Sequence, residues 1–179
     1  MAQQITGYFP EAIVDERKDF LAGAWQQAGW HDRLIVDFGL SNEFMRPVRT
    51  FRNFDVDPLI AIAGALSGVR SDEVAVLQVL FRSCRHSWAE SVIRAVTDGM
   101  GGSFFADAPE MVKLAKEKLS RPLSAVVIRA AAKSATEGRA HTLVRGLYRA
   151  LGQLAEPSSN ELIPLNNDEY DDEDHESSQ

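Results

Sequence analysis

The amino-acid sequence predicts an α+β fold, because strand-like stretches alternate with stretches that have the spacing of amphipathic helices. Two mostly apolar runs, residues 74–81 and 123–132, are typical of buried strands. A helical pattern at 57–66 precedes the first run, and another at 139–154 follows the second. The chain has 179 residues, of which 45% are hydrophobic and 25% charged, which is the size and composition of one ordinary globular domain.

The first 47 residues are rich in aromatic side chains and irregular in pattern, and we interpret residues 1–47 as an extension packed on the main domain. Within them, residues 11–27 predict a helix and residues 34–38 a short strand. A further strand is predicted over 48–52, directly after Pro47, and it opens the main domain at residues 48–165. Most of the aromatic side chains are expected to be core residues.

The main domain continues with a helix and a strand. Asp57 and Pro58 start the helix, because the carboxylate accepts hydrogen bonds from free amides and proline suits the first turn. The residues expected to face the core are Leu59, Ile62, Ala63 and Leu66. Residues 74–81 are apolar on both faces, so the sequence predicts a central strand there.

Residues 87–120 predict a helical insertion. Ser87 and Glu90 have the spacing of a capping box, which places a helix from Trp88 to about Thr97. A glycine-rich connector follows it, and a second helix is expected over 109–119 with its lysines facing solvent.

The order of elements predicts the topology. Strand 123–132, helix 139–154 and a short strand at 161–165 complete the domain, and Pro164 places the last strand at a sheet edge. The order strand, helix, strand, insertion, strand, helix, strand is that of a split β-α-β sheet. We therefore expect a ferredoxin-like fold with the helical insertion between its middle strands and the helices of both β-α-β units on one sheet face.

The net charge of −7 belongs to the C-terminal segment. Seven of the 26 acidic residues lie within 168–176, so the remaining 19 balance the 19 basic residues. Residues 166–179 contain no aliphatic side chain and are expected to form a disordered acidic tail or linker. The neutral body disfavours a dedicated nucleic-acid-binding protein. A single cysteine, no signal sequence and no bilayer-length apolar run predict a cytoplasmic protein without membrane insertion.

Patterns for catalysis are scarce in this sequence. None of the lysines follows a glycine, as a phosphate-binding P-loop requires, and the histidines are too far apart for zinc-site spacing. We therefore expect a chain that is not an enzyme and holds no cofactor or metal. The alternative is a small stand-alone enzyme or redox sensor using Cys84 and His86, where Arg82, Arg85 and a helix N-terminus would favour a thiolate.

Arginines supply one candidate binding site. Arg139, Arg145 and Arg149 lie on the predicted long helix, and Arg82, Arg85 and Arg94 lie in neighbouring elements. Together they predict a basic patch for a nucleic-acid backbone or an acidic neighbouring domain. The other interpretation is that these arginines occupy the solvent faces of amphipathic helices. A free-standing nucleic-acid-binding module is a third hypothesis for the whole chain.

Five segments resemble a known family: residues 49–54, 57–59, 76–81, 85–91 and 161–165. They are similar to the region that precedes the motor domain in bacterial type IV secretion and conjugation-type ATPases of the HerA/FtsK class. There, a glutamine in a strand, a short polar turn, a tryptophan and a helix recur before the P-loop. The resemblance covers about residues 34–165 of this chain.

The resemblance implies a role without chemistry. The family's Walker motifs and arginine finger have no counterpart in this sequence, so no catalytic residue is carried over. The chain would be an accessory or interaction domain of a larger DNA-translocating or secretion ATPase, serving subunit packing or the docking of a substrate or partner. Its expected partners are a C-terminal motor domain and neighbouring subunits, with DNA contacted indirectly.

Overall fold

The computed structural model describes residues 7, 18–27, 32–50, 53–83, 87–98, 100, 102–104, 110–120, 123–157 and 159–165. These residues form five α-helices and four β-strands. In chain order they are α1 (Phe20–Gln27), β1 (Asp32–Leu40), α2 (Pro58–Leu66), β2 (Val74–Ser83), α3 (Ser87–Val96), α4 (Glu110–Leu119), β3 (Ser124–Ser134), α5 (Arg139–Leu151) and β4 (Leu162–Pro164). None of the described helices has the length and apolarity needed to cross a membrane.

The described strands form one antiparallel sheet in the order β2-β3-β1-β4. β3 pairs with β2 from Val74↔Lys133 to Ser83↔Ser124, and on its other side with β1. The short β4 pairs with the end of β1 and lies at the sheet edge. This confirms the α+β class and the edge position predicted from Pro164.

The strand predicted over residues 48–52 is wrong where the structure describes it. Residues 48–50 belong to no strand, and the backbone N–H of Arg49 donates to the carbonyl oxygen of Leu154 at 2.9 Å instead. The first described strand of the sheet is β1, which contains the other short strand predicted at 34–38, so the sheet begins upstream of residue 48. β1 forms part of the sheet because its alternate side chains, Leu34, Val36 and Phe38, pack into the core.

The prediction that residues 74–81 form a central strand is also wrong. They lie in β2, which is an edge strand among the described strands. The two faces of β2 have different surroundings that are both apolar. Apolar residues on both faces therefore do not require a paired strand on each side. Ala75 and Leu77 pack into the helix-covered core, whereas Val76 faces a groove beneath α1.

The main core lies between one face of the sheet and the helices α2 and α5. The predicted leucine seam of α5 is confirmed: Leu143, Leu147 and Leu151 are buried in the cluster that contains Phe38 of β1 and Ala130 and Ala132 of β3. α2 packs on the same core through Ile62, Ala65 and Leu66. The prediction that Leu59 and Ala63 face the core is wrong, since both are exposed. The predicted start of α2 is confirmed, because the Asp57 carboxylate accepts from the backbone N–H of Leu59 at 2.9 Å.

The predicted insertion contains a second, smaller core. Val92 and Val96 of α3 and Met111 and Ala115 of α4 are buried together with Met45, which comes from the segment after β1. The Lys118 ammonium donates to the carbonyl oxygen of Phe44 and ties α4 to this segment. The insertion is therefore attached to the main domain through residues just beyond β1.

Several predictions fall wholly or partly outside the described residues. They concern the start of the helix at 11–27, the pair Cys84 and His86, Arg85, and the tail 166–179. In the described part of that first helix, α1 begins only at Phe20. Asp19 has a φ of 55°, a left-handed conformation that a right-handed helix does not accommodate.

Candidate interaction surface

One face of the sheet is turned away from α2 and α5, and we call it the open face. Side-chain alternation and strand register place the pairs Ile35–Ala131 and Asp37–Arg129 on it. The Arg129 guanidinium forms a bidentate pair with the Asp37 carboxylate: Nε donates to Oδ1 at 2.6 Å and Nη2 donates to Oδ2 at 2.9 Å. This pair fixes a polar point in the middle of an otherwise largely aliphatic surface.

An apolar groove of about 690 Å³ lies between α1 and the open face. Phe20, Leu21 and Trp25 line it on the helix side, and Ile35 and Val76 line it on the sheet side. The polar side chains of Gln78, Arg129 and Asp19 reach the same space. Such a mostly apolar groove with a few polar groups is typical of a binding surface.

Lys133 attaches α1 to the sheet. The Lys133 ammonium donates to the carbonyl oxygen of Trp25 at 2.7 Å and lies 5.8 Å from the centroid of the Trp25 ring. Lys133 is itself buried on β3, so its charge is compensated by the end of the helix and by the ring. This contact keeps α1, which forms one side of the groove, against the sheet.

A second apolar surface lies at the far end of the β2–β3 pair, residues 79–83 and 124–127, which we call the distal arm. Leu80 and Val127 are half exposed on the open face. On the opposite face Val79, Phe81 and Val126 are exposed, and Phe81 is 77% exposed. The distal arm therefore presents aliphatic and aromatic side chains on both of its faces.

The outer face of α2 is the third apolar surface. The helix reads PLIAIAGAL and contains no polar side chain, although only one side of it packs on the core. Leu59 and Ile60 are 64% and 62% exposed, and Val56 beside them is equally exposed. A helix that is apolar all round is normally buried on every side.

The predicted arginine site is only partly assembled. Arg139 is engaged internally: its Nε donates to Glu73 Oε1 at 2.8 Å, and its Nη2 donates to Glu73 Oε2 and to the carbonyl oxygen of Gly68. These hydrogen bonds lower the pKa of Glu73 to about 2. Arg145 and Arg149 are exposed one turn apart on α5. The contact predicted for these three arginines with nucleic acid or a partner stays a prediction.

The neighbouring arginines of the predicted patch are dispersed. Arg94 pairs with Glu90 on the surface of α3 at 3.1 Å, and Arg82 belongs to the distal arm. Cys84 and His86, the hypothetical catalytic pair, lie outside the described residues. Among the residues that are described, no three His, Cys, Asp or Glu side chains come close enough together to hold a metal ion.

Sequence reasoning missed all three apolar surfaces. One signal was available in the sequence: the segment PLIAIAGAL carries no charge on any side, which an ordinary surface helix would have. Comparisons with protein-family models, with curated proteins and with solved structures returned no match. The resemblance to the secretion and conjugation ATPases therefore remains a prediction.

Proposed function

We propose that this chain is a non-catalytic interaction domain whose exposed apolar surfaces dock against other parts of a larger assembly. The observation that carries the proposal is α2, an entirely apolar helix whose Leu59 and Ile60 face solvent. Burying each of these side chains against a partner would contribute roughly 1.5–3 kcal/mol. The groove beneath α1 and the distal arm support the same conclusion, because they are apolar surfaces on other elements.

We further propose that the domain has the ferredoxin-like split β-α-β arrangement. The units β1-α2-β2 and β3-α5-β4 support it, as does the strand order β2-β3-β1-β4. Packing of α2 and α5 on one core is the arrangement that right-handed crossovers favour. In this description α3 and α4 are an insertion between the middle strands.

The larger assembly that we propose is a DNA-translocating or type IV secretion-like ATPase. The resemblance of residues 49–54, 76–81 and 85–91 to the region before such motors supports it. The domain would act in subunit packing or in docking a substrate or partner, and the motor domain would supply hydrolysis. α2 is the surface that we assign to the motor or to a neighbouring subunit.

Calorimetry tests the non-catalytic part of the proposal. We expect no heat of ATP binding to this chain, and micromolar ATP binding would refute the proposal. The reading frame that encodes the chain is expected to continue into a P-loop motor domain. Attaching that motor should give a protein that hydrolyses ATP and forms oligomers.

Docking is tested by Leu59→Asp with the motor domain supplied as a separate protein. Because it places a carboxylate on the proposed contact, we expect L59D to weaken binding by at least about tenfold. Met100→Asp is the matched control, since Met100 is 99% exposed and lies outside the three apolar surfaces. Equal affinity of L59D and the unmodified chain would contradict the assignment of α2.

A further inference from the structure

Among the described residues, no strand lies at the outer edge of β2, and this edge has few of the features that normally limit pairing with another chain. Such edges are usually short, or carry lysine, proline or a bulge. At the opposite edge, β4 has three residues and ends in Pro164. β2 has ten residues, contains neither lysine nor proline, has Arg82 as its single charged side chain, and pairs with β3 in one continuous register without a bulge.

The composition of β2 disagrees with its position. Its run of apolar residues on both faces is the pattern of a strand whose two faces are both covered, yet Val79, Leu80 and Phe81 are exposed. Within the described residues it has only β3 beside it, and its exposure rises along the strand from Val79 onwards. A strand added at this edge would bring further side chains beside Val79, Leu80 and Phe81 on both faces of the sheet.

We propose that this added strand is β2 of a second copy, so that two chains form one continuous antiparallel sheet about a two-fold axis. The axis passes beside Leu80, which then lies opposite Leu80 of the second copy. Val79 lies opposite Phe81, and Gln78 lies opposite Arg82. The more exposed half of β2 is thus placed beside the same half of the second copy.

This register is favoured because it places the three exposed apolar side chains of β2 against one another. Moving the axis by one residue, to Val79 or to Phe81, sets Leu80 opposite Gln78 or opposite Arg82. Moving it to Arg82 sets two guanidinium groups against each other, which is destabilising. With the axis at Leu80, the apolar residues Val79, Leu80 and Phe81 meet one another and no like charges within β2 are opposed.

The charge of the body does not oppose a second copy as the occupant. The body before Asp168 is neutral, with 19 acidic and 19 basic residues, so two copies do not repel each other through it. The chain leaves the sheet at β4, the edge away from β2, before the acidic residues 168–176 begin. The inference rests on the β2 edge and is independent of any ATPase motor.

Light scattering across a concentration series tests the stoichiometry. We expect the mass to rise from the 19.8 kDa of one chain to twice that value. A monomer at every concentration would overturn the proposal, while leaving the results with ATP and the motor domain unaffected. Dimers are expected at low and high salt alike, because the contact is apolar.

Leu80→Lys and Val127→Lys form a matched pair that separates edge pairing from docking on the sheet face. Leu80 and Val127 are cross-strand neighbours on the open face, and they are 52% and 47% exposed. Only Leu80 is on the edge strand. L80K should weaken the dimer by at least about tenfold, because it opposes two ammonium groups, and V127K should leave it within about twofold. Equal loss in both variants would overturn edge pairing in favour of a partner docked on the face.

Disulfide trapping tests the register and does not depend on a disruptive substitution. In a Cys84→Ser background, which removes the single native cysteine, Leu80→Cys would place two thiols across the two-fold axis. Directly opposed residues have Cα atoms about 4.5–5.5 Å apart, within the range that a disulfide spans. We expect covalent dimers on mild oxidation of this variant and none from Val127→Cys. A dimer or larger ring that fails to cross-link through position 80 would overturn the proposal.

Discussion

Single polar residues join parts of the domain that are distant in sequence. Glu73, at the start of β2, is almost fully buried and accepts two hydrogen bonds from Arg139 at the start of α5. It also accepts from the backbone N–H of Arg70 at 2.9 Å. The hydrogen bonds from Arg139 are the main cause of the low pKa of Glu73, and they fix the first turn of α5 against the sheet.

Acid should remove this contribution to stability. The pKa of Glu73 is about 2 in the folded protein against an ordinary 4.5, so its stabilising effect is complete above about pH 4.5 and is lost as the pH falls towards 2. Glu73→Gln should lower the free energy of unfolding by about 2 kcal/mol at neutral pH and reduce its decline in acid. Urea titrations across this pH range measure both effects. Asp72→Asn, at the exposed neighbouring residue, is the control, and an equal effect there would contradict the prediction.

Asn160 has a similar joining role at the other end of the sheet. Its buried side-chain amide group donates to the carbonyl oxygens of Asn42, Glu43 and Arg46, and its oxygen accepts from the backbone N–H of Glu161. Asn160→Ala should therefore lower the free energy of unfolding by about 3 kcal/mol, because it removes the several hydrogen bonds made by a buried side chain. Chemical denaturation measures the loss. Asn53→Ala, at an exposed residue, should change little.

At the scale of elements, the insertion depends on a residue outside it. Met45 lies in the segment after β1 and is buried against Val92, Val96, Met111 and Ala115. This second core is small, so the helices α3 and α4 should open more readily than the sheet. The same arrangement explains why residues 41–47, which form no regular element, follow a defined path across the domain.

Met45→Ala should loosen the insertion selectively. Truncating a buried methionine costs about 2–5 kcal/mol, from lost burial and the cavity left behind. We expect faster amide hydrogen exchange in α3 and α4, with exchange in β1 and β3 unchanged. Met100→Ala is the matched control, because Met100 is almost fully exposed. Uniform acceleration across the sheet would show that the second core is not a separate unit.

The whole molecule combines one well-packed face with several uncovered apolar surfaces. α2 and α5 cover one side of the sheet, whereas the open face, the distal arm and the outer side of α2 keep aliphatic residues in contact with solvent. Large apolar patches on a soluble protein usually mark interaction sites. The proposed contacts with a motor domain, with neighbouring subunits and with a second copy would all bury such surfaces. The alternative of an enzyme using Cys84 and His86 stays a prediction.

Local chemistry by itself determined much of this domain. The Asp57-Pro58 helix start, the leucine seam of α5, the insertion helices and the edge position of Pro164 were all predictable, because caps, periodicity and proline act within a few residues. Tertiary packing alone decided that β1 replaces the strand predicted at 48–52, that β2 lies at an edge, and that Arg139 is bound by Glu73, 66 positions away. Strand order and long-range pairing depend on which surfaces meet in three dimensions. The periodicity of one segment does not indicate which strand lies beside it in the sheet.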